Sequence, residues 1–177
     1  MTIETLKKEI REKTVLRVKQ LSKVEKERAS QIISNALISN EKTQKASRIC
    51  CYLPLENEVV IHTAIIKWLT NGKAIYIPKH YQDTYHIVKL ESLSEPNHTP
   101  QFSTAPLTNY KERIDTWIIP GIAFDTHRNR LGRGKGIYDT LLSNSLGKKI
   151  GVCFNAQRVE SIPTQSHDIP VDTILSA

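Results

Sequence analysis

With 177 residues and 39% of them apolar, the chain is long enough for one domain with a proper core, and its formal charge of +7 points to anionic partners. No apolar stretch reaches bilayer-spanning length, and the opening residues read as charged helix rather than signal peptide, so no membrane association is expected. Three cysteines, two of them adjacent at Cys50 and Cys51 and so facing opposite sides of a strand, exclude a disulfide framework and fit a reducing cytoplasm.

In chain order, Ile3, Leu6, Ile10, Leu16 and Leu21 recur at roughly helical spacing and predict a first helix over residues 2–21. By themselves Lys7, Lys8 and Arg11 read as its solvated face. Ser22-x-x-Glu25 is a capping box for a second helix, whose Ala29, Ile32, Ile33, Ala36 and Leu37 form one apolar stripe. Residues 48–53 are a near-continuous apolar run, as expected of a parallel strand buried on both faces. The run ends at Pro54, and the turn after it carries Glu56, Asn57 and Glu58. Loops at the carboxyl ends of such strands are where open α/β sheets bind ligands.

A helix over residues 61–70 follows, stopped at Asn71-Gly72. The next buried strand spans residues 73–77 and ends at Pro78. His80 and Tyr81 then stand at a strand's carboxyl end, Tyr81 either stacking on an aromatic ligand or packing in its loop. Residues 85–90 alternate as a strand of a side ribbon, with His86 an ordinary strand histidine. Residues 91–114, with Pro96, Pro100 and Pro106 and few periodic apolar positions, are expected to be a long irregular loop. Residues 115–120 form a strand, 137–146 a helix stopped by Gly147, 149–154 another buried strand, and 171–175 the strand that closes the sheet. Strands alternating with helices predict a three-layer α/β sandwich, a mostly parallel central sheet with helices on both faces, in one domain over residues 1–177.

The chemistry concentrates between the strand at 115–120 and the helix at 137. Trp117-Ile118-Ile119 stops at Pro120-Gly121, and in the loop beyond, Gly132, Gly134 and Gly136 alternate with Arg133 and Lys135. Such glycines allow positive φ and close backbone approach to a ligand, and successive peptide N–H groups can form an anion nest. Arg130, Arg133 and Lys135 add positive charge, and the helix beginning near Ile137 points its N-terminus at the same place. Asp139 stands in that helix's first turn, where a carboxylate is tolerated and can hold a metal bridging to phosphate. The spacing is neither a Walker A loop, since no Ser or Thr follows Lys135, nor the G-x-G-x-x-G dinucleotide fingerprint. It reads as a polyphosphate site, with a flexible basic surface turn, or one that touches nucleic-acid backbone, as the bland alternative.

Pro120-Gly-Ile-Ala-Phe-Asp125 and Asn129-Arg-Leu-Gly-Arg-Gly-Lys-Gly-Ile-Tyr-Asp139 together resemble the signature of the 5-formyltetrahydrofolate cyclo-ligase family. The resemblance covers nearly the whole chain. It includes Lys7-x-x-x-Arg11, Cys51-Tyr-Leu-Pro-Leu-Glu-Asn-Glu-Val59, Gly72-Lys-Ala-Ile-Tyr-Ile-Pro78, and the closing segment from Ile162-Pro163 through His167-Asp168 to Val171-Asp172.

The resemblance implies ATP-dependent cyclisation of 5-formyltetrahydrofolate, in mono- or polyglutamate form, to 5,10-methenyltetrahydrofolate through a phosphorylated formyl group; a monomer is expected. Lys7, Arg11, Arg130, Leu131, Gly132, Arg133, Gly134, Lys135, Gly136, Ile137 and Tyr138 match its nucleotide-binding positions, with Lys135 and Arg133 the catalytic cations. Leu55 and Glu58 match folate contacts, and Arg133, Gly134, Lys135, Gly136 and Ile137 also line the folate side. Asp139 and Asp168 match its magnesium ligands. The chain departs from the family in carrying Val60 where relatives have a polar or acidic residue. It also has Ile137-Tyr138 for two tyrosines, and only Phe102 and Ala105-Pro106 for a Trp-containing Ile-Pro-x-Pro segment. His127 and His167 are expected to hydrogen-bond only.

Because that reaction's substrate supplies both nucleophiles, the enzyme needs no nucleophile of its own, and the sequence offers no Ser-His-Asp or Cys-His constellation. A small basic nucleic-acid-binding module is the rival of a different class, weakened by sparse aromatics and apolar parallel strands. A sugar-phosphate isomerase or CoA transferase on a similar sheet rests on fold analogy alone.

Overall fold

The computed structural model describes residues 2–94 and 97–177. The first helix, α1 (Ile3–Gln20), is capped by Thr2, whose hydroxyl accepts the Thr5 N–H at 3.2 Å. Its inward face is only in part the apolar set read from the sequence. Ile10 and Leu21 pack against apolar clusters, but Ile3 and Leu16 are exposed, and Lys7, Thr14 and Val18 are buried, because the N-terminal end of this helix covers a polar cleft.

The second helix, α2 (Lys23–Ser39), opens on the predicted capping box: Ser22 Oγ accepts the Glu25 N–H at 3.2 Å, and the Glu25 carboxylate accepts the Ser22 N–H at 2.7 Å. Ala29, Ile33 and Leu37 are buried as expected, but Ile32 is exposed and Ser30 and Ser34 take its place inside. Their hydroxyls bond the backbone N–H and C=O of Val60, at 3.0 and 3.2 Å, and so pin the loop that carries Glu58.

After a short α3 (Glu41–Lys45) the chain forms β1 (Arg48–Cys50), shorter than the apolar run suggests, then α4 (His62–Thr70), β2 (Ala74–Tyr81), β3 (Thr84–Ser94), β4 (Thr99–Pro106) and α5 (Tyr110–Arg113). Beyond these lie β5 (Thr116–Pro120), β6 (Ala123–Phe124), β7 (Arg130–Leu131), α6 (Ile137–Leu142), β8 (Lys148–Cys153), a single 3-10 turn at Asn155–Gln157, and β9 (Thr173–Ser176). Seven strands form one sheet in the order β4-β3-β2-β1-β5-β8-β9. The run from β2 through β9 is parallel, and β3 and β4 add an antiparallel ribbon to β2. The sheet with helices on both faces is the predicted architecture.

Alternate residues of the parallel strands face opposite cores. Ile49, Ile75, Ile118, Ile150 and Val152 pack with residues of α1, α2 and α4 on one side. Cys50, Trp117, Ile119 and Cys153 pack with Leu141 and Leu142 of α6 on the other. Cys50 and Cys51 fall in the two different cores, as the strand period requires, and all three cysteines are free thiols.

Three further expectations fail. Residues 91–114 are not a long loop, since β3 and β4 pair as a hairpin. Their low periodicity has a simple cause: β4 is the sheet's edge, largely exposed, where Pro100 and Pro106 are tolerated. Pro96 lies outside the described residues. Nor does Pro78 end its strand. Tyr76 turns its C=O to the β1 side, where it accepts the Cys51 N–H at 2.9 Å; two residues on, Pro78 turns the same way, past the end of β1. Its missing N–H therefore costs no ladder bond, and β2 runs on to Tyr81. Finally, α6 stops at Leu142 rather than residue 146, as Asn144 takes a left-handed conformation (φ 59).

Candidate functional site

The sheet order reverses between β1 and β5: the chain leaves β1 for β2 on one side, and proceeds from β5 to β8 and β9 on the other. A crevice at the carboxyl ends of strands that part in this way is where doubly wound sheets hold ligands. Here it is lined by Glu58 from the loop after β1, Gly121 and Ile122 after β5, and the glycine loop. Lys7 and Arg11 of α1 and the Gln165–Asp168 segment before β9 complete it.

The glycine loop is not the free coil that its composition suggests. Its base is a small hairpin of β6 and β7, held by Asp125, which is fully buried. One Asp125 oxygen accepts the N–H groups of His127 and Asn129, both at 2.9 Å; the other accepts the Asn129 side-chain amide at 2.9 Å and the Ile162 N–H at 3.0 Å. This carboxylate thus ties the start of the glycine loop to the segment leading to Asp168. Gln157 does similar work, donating to the carbonyls of Gly121 and Ile122 at 2.7 and 3.1 Å. The sequence reading gave neither residue a role. An Asp before a polar turn is the signal of a side chain that bonds backbone two residues on, and could have marked Asp125; nothing marked Gln157.

Arg130 is placed differently from the expectation that it adds free charge to the loop. Its side chain is 3% exposed, its Nη2 lies 3.2 Å from an Asp139 oxygen, and its guanidinium stands 5.3 Å from the Tyr138 ring centroid. A Cβ at Gly132 would lie 2.8 Å from Arg130 Nη1, so any larger residue there would have to push the guanidinium aside. The free charge belongs instead to Lys135, exposed on the loop tip and without an ion pair among the described residues. Gly134 and Gly136 take the positive φ angles expected of them (95 and 62), while Gly132 does not. The helix after them, α6, is only six residues long and adds little beyond its first-turn N–H groups.

From α1, Arg11 Nε donates to the Gly132 carbonyl at 2.9 Å. Buried Lys7 places its ammonium 2.6 Å from Asp168 and 3.4 Å from Gln165. Burial pushes the Asp168 carboxyl up, but the Lys7 hydrogen bond, the Gln165 N–H at 2.7 Å and the charges of Lys7 and His167 together draw it below its ordinary value. Asp139 also accepts the Ile169 N–H at 3.2 Å, so both carboxylates are oriented from two sides.

Glu58 lines the crevice and meets Arg133 at 3.1 Å, whereas Glu56 is exposed and lies only in the adjoining cleft. Leu55, 56% exposed, stands in that adjoining cleft too. Leu131, Ile137 and Tyr138 line the crevice, and His167 reaches its rim while His127 does not. Tyr81 is exposed and outside it; His80 and Tyr85 line a neighbouring groove that shares Lys135.

No helix among the described residues is long and apolar enough to cross a membrane. Comparison with known proteins gives one consistent result. The chain is 28% identical over 193 residues to the 5-formyltetrahydrofolate cyclo-ligase of Mus musculus, covering 99% of this chain and 95% of the mouse protein. It is also 28% identical over 166 residues to that of Haemophilus influenzae, covering 88% and 89%. The solution structure of Aquifex aeolicus 5,10-methenyltetrahydrofolate synthetase superposes with a TM-score of 0.80 at 30% identity, over 97% of this chain and 89% of that one. The Mycoplasma pneumoniae 5,10-methenyltetrahydrofolate synthetase does so with a TM-score of 0.70 at 26% identity, over 98% of each. The profile of the 5-formyltetrahydrofolate cyclo-ligase family matches residues 3–177, and the chain belongs to that family.

Proposed function

We propose that the chain uses MgATP to close 5-formyltetrahydrofolate, in mono- or polyglutamate form, to 5,10-methenyltetrahydrofolate with release of ADP and phosphate. The observation that carries this reading is the position of Arg133, Gly134, Lys135 and Gly136 at the sheet's switch point, facing Glu58 across one crevice. Phosphate and folate would then meet where the two loops meet.

The formyl oxygen on N5 attacks the γ-phosphorus as the bond to the β-phosphate breaks. N10 then attacks the activated carbon, loses its proton, and phosphate departs. No protein nucleophile is needed. Lys135 and Arg133 neutralise charge on the transferring phosphoryl, and the N–H groups of the glycine loop line its oxygens. Arg11 holds the loop at the Gly132 carbonyl, and Arg130 orients Asp139. Leu55 and Glu58 hold the folate ring.

Asp139 and Asp168 suit a metal that arrives with phosphates, since Mg²⁺ takes one or two carboxylates beside phosphate oxygens and water. Asp168 keeps one oxygen without a hydrogen-bond donor among the described residues, its other being taken by Lys7 and Gln165. Magnesium bound there would withdraw charge from the phosphates. We read the protein as a cytoplasmic monomer that binds neither nucleic acid nor membrane; light scattering after gel filtration tests the monomeric state.

The deciding experiment follows the absorbance of 5,10-methenyltetrahydrofolate after 5-formyltetrahydrofolate and MgATP are mixed with native protein, Lys135→Ala and Asp139→Asn. ATP-dependent product from the native chain, reduced on the order of a hundredfold or more in each variant, is the expected result. No product from folded native protein would overturn the assignment.

A further inference from the structure

We propose that the ion pair between Arg133 and Glu58 is a partition between the phosphate and ring compartments of this site, opened by ligand, through which each ligand tightens the binding of the other. The inference rests on the function proposed above.

Two clefts adjoin here. Both are floored by Gly121 and Ile122, and both include Glu58 and Arg133. One is polar and cationic, with Lys7, Arg11 and Lys135. The other is walled by Val15, Val18 and Leu55, with Gln157 at its base, a surface that suits one face of a flat heteroaromatic ring. The pair at 3.1 Å stands between them, so parting it joins two clefts into one trough.

The partners differ in what they lose when parted. Arg133 is 54% exposed, and Glu58 is its one hydrogen-bond partner among the described residues. Glu58 is only 12% exposed; one oxygen accepts from Arg133 and the other accepts the Leu55 N–H at 3.1 Å. A triphosphate competes well for a guanidinium, because it brings several charges and a matching set of oxygens. Once Arg133 turns to phosphate, the first Glu58 oxygen has no donor and little access to water, which is costly. A ring that presents adjacent N–H donors, as a pterin does, supplies what is missing. If the ring binds first it takes Glu58, and Arg133 is released toward the phosphates. Each ligand removes a cost that the other would otherwise bear, so coupling is positive and reciprocal. For a half-exposed ion pair the effect is about two- to fivefold.

Calorimetric titration with Mg²⁺ and a non-hydrolysable ATP analogue, with and without saturating 5-formyltetrahydrofolate, measures the coupling directly. Glu58→Gln keeps an acceptor for the Leu55 N–H but ends the ion pair. Native protein is expected to bind the analogue about two- to fivefold more tightly in the presence of folate. Glu58→Gln, without folate, is expected to bind it more tightly than native protein by a similar factor. Equal or weaker analogue binding by the folded variant overturns the partition, as does native protein that binds both ligands independently. Native protein that binds neither ligand overturns the cyclo-ligase reading and the partition with it. Should the variant not fold, the native titrations still decide.

Discussion

Arg130 Nη2 lies 3.2 Å from both carboxylate oxygens of Asp139, nine residues on, and the two side chains are 3% and 18% exposed. The contact closes the glycine loop on itself, fixing the first turn of α6 against β7. Removing one member leaves the other charged and mostly out of water. Arg130→Met is therefore expected to lower unfolding free energy by about 3–5 kcal/mol, read from urea denaturation. An unchanged midpoint would mean that water reaches Asp139 freely.

Asp125 offers a second test of how the loop is held. Its two oxygens accept four hydrogen bonds from buried or half-buried donors. Asp125→Ala strands those donors, at about 1–3 kcal/mol for each that water cannot reach. The loss expected in chemical denaturation is several kcal/mol in all. Asp125→Asn retains one acceptor oxygen and is expected to fall between the two.

At Gly134 the backbone has φ 95, a conformation that an L side chain adopts only with strain, although a Cβ there would meet only the Arg11 guanidinium, at an ordinary contact distance of 3.6 Å. Gly134→Ala should cost about 1–2 kcal/mol and shift the loop it sits in. In the synthetase assay the expected sign is a raised KM for ATP with the fold intact by circular dichroism. An unchanged KM would show that the loop takes phosphate without that angle.

The Lys7–Asp168 pair predicts a pH dependence. Because the folded Asp168 carboxyl titrates below its ordinary value of 3.8, the unfolded chain binds the proton more readily. Stability from this group is then fully present above that value and is lost as pH falls through the folded pKa. Lys7→Met, measured by thermal unfolding between about pH 6 and pH 2, should flatten this part of the acid limb. An identical acid limb in native and variant protein would deny the pairing.

Burial holds all three thiols above their ordinary range, Cys153 to about 12 despite the opposing charge of Arg158, and Cys50 and Cys51 well up as well. A thiolate is the reactive form. Native protein at pH 8 should react slowly or not at all with a disulfide reagent, and denatured protein should release three equivalents. Rapid reaction of one thiol in the native state would show that a core opens.

Much of this protein was legible in its sequence because the signals were local. Apolar runs at Trp117–Ile119 and Ile150–Val152, the Ser22–Glu25 box, and the Gly132–Asp139 spacing each act within a few residues. Backbone geometry and side-chain period are fixed at that range. The fold class followed, and so did the membership of a family whose signature is such a local string.

The tertiary structure alone decided which charges are free. Lys7, Arg11, Arg130, Arg133 and Lys135 look alike as letters, yet three of them are spent on Asp168, the Gly132 carbonyl and Asp139, one is shared with Glu58, and Lys135 has no ion pair among the described residues. It also decided that β4 is a strand, since an edge position needs no apolar period, and that Glu58 rather than Glu56 faces the loop. These outcomes depend on partners as many as 161 residues apart in the chain, as Lys7 and Asp168 are. A pairing at that separation is set by sheet order and helix packing, not by the residues beside it.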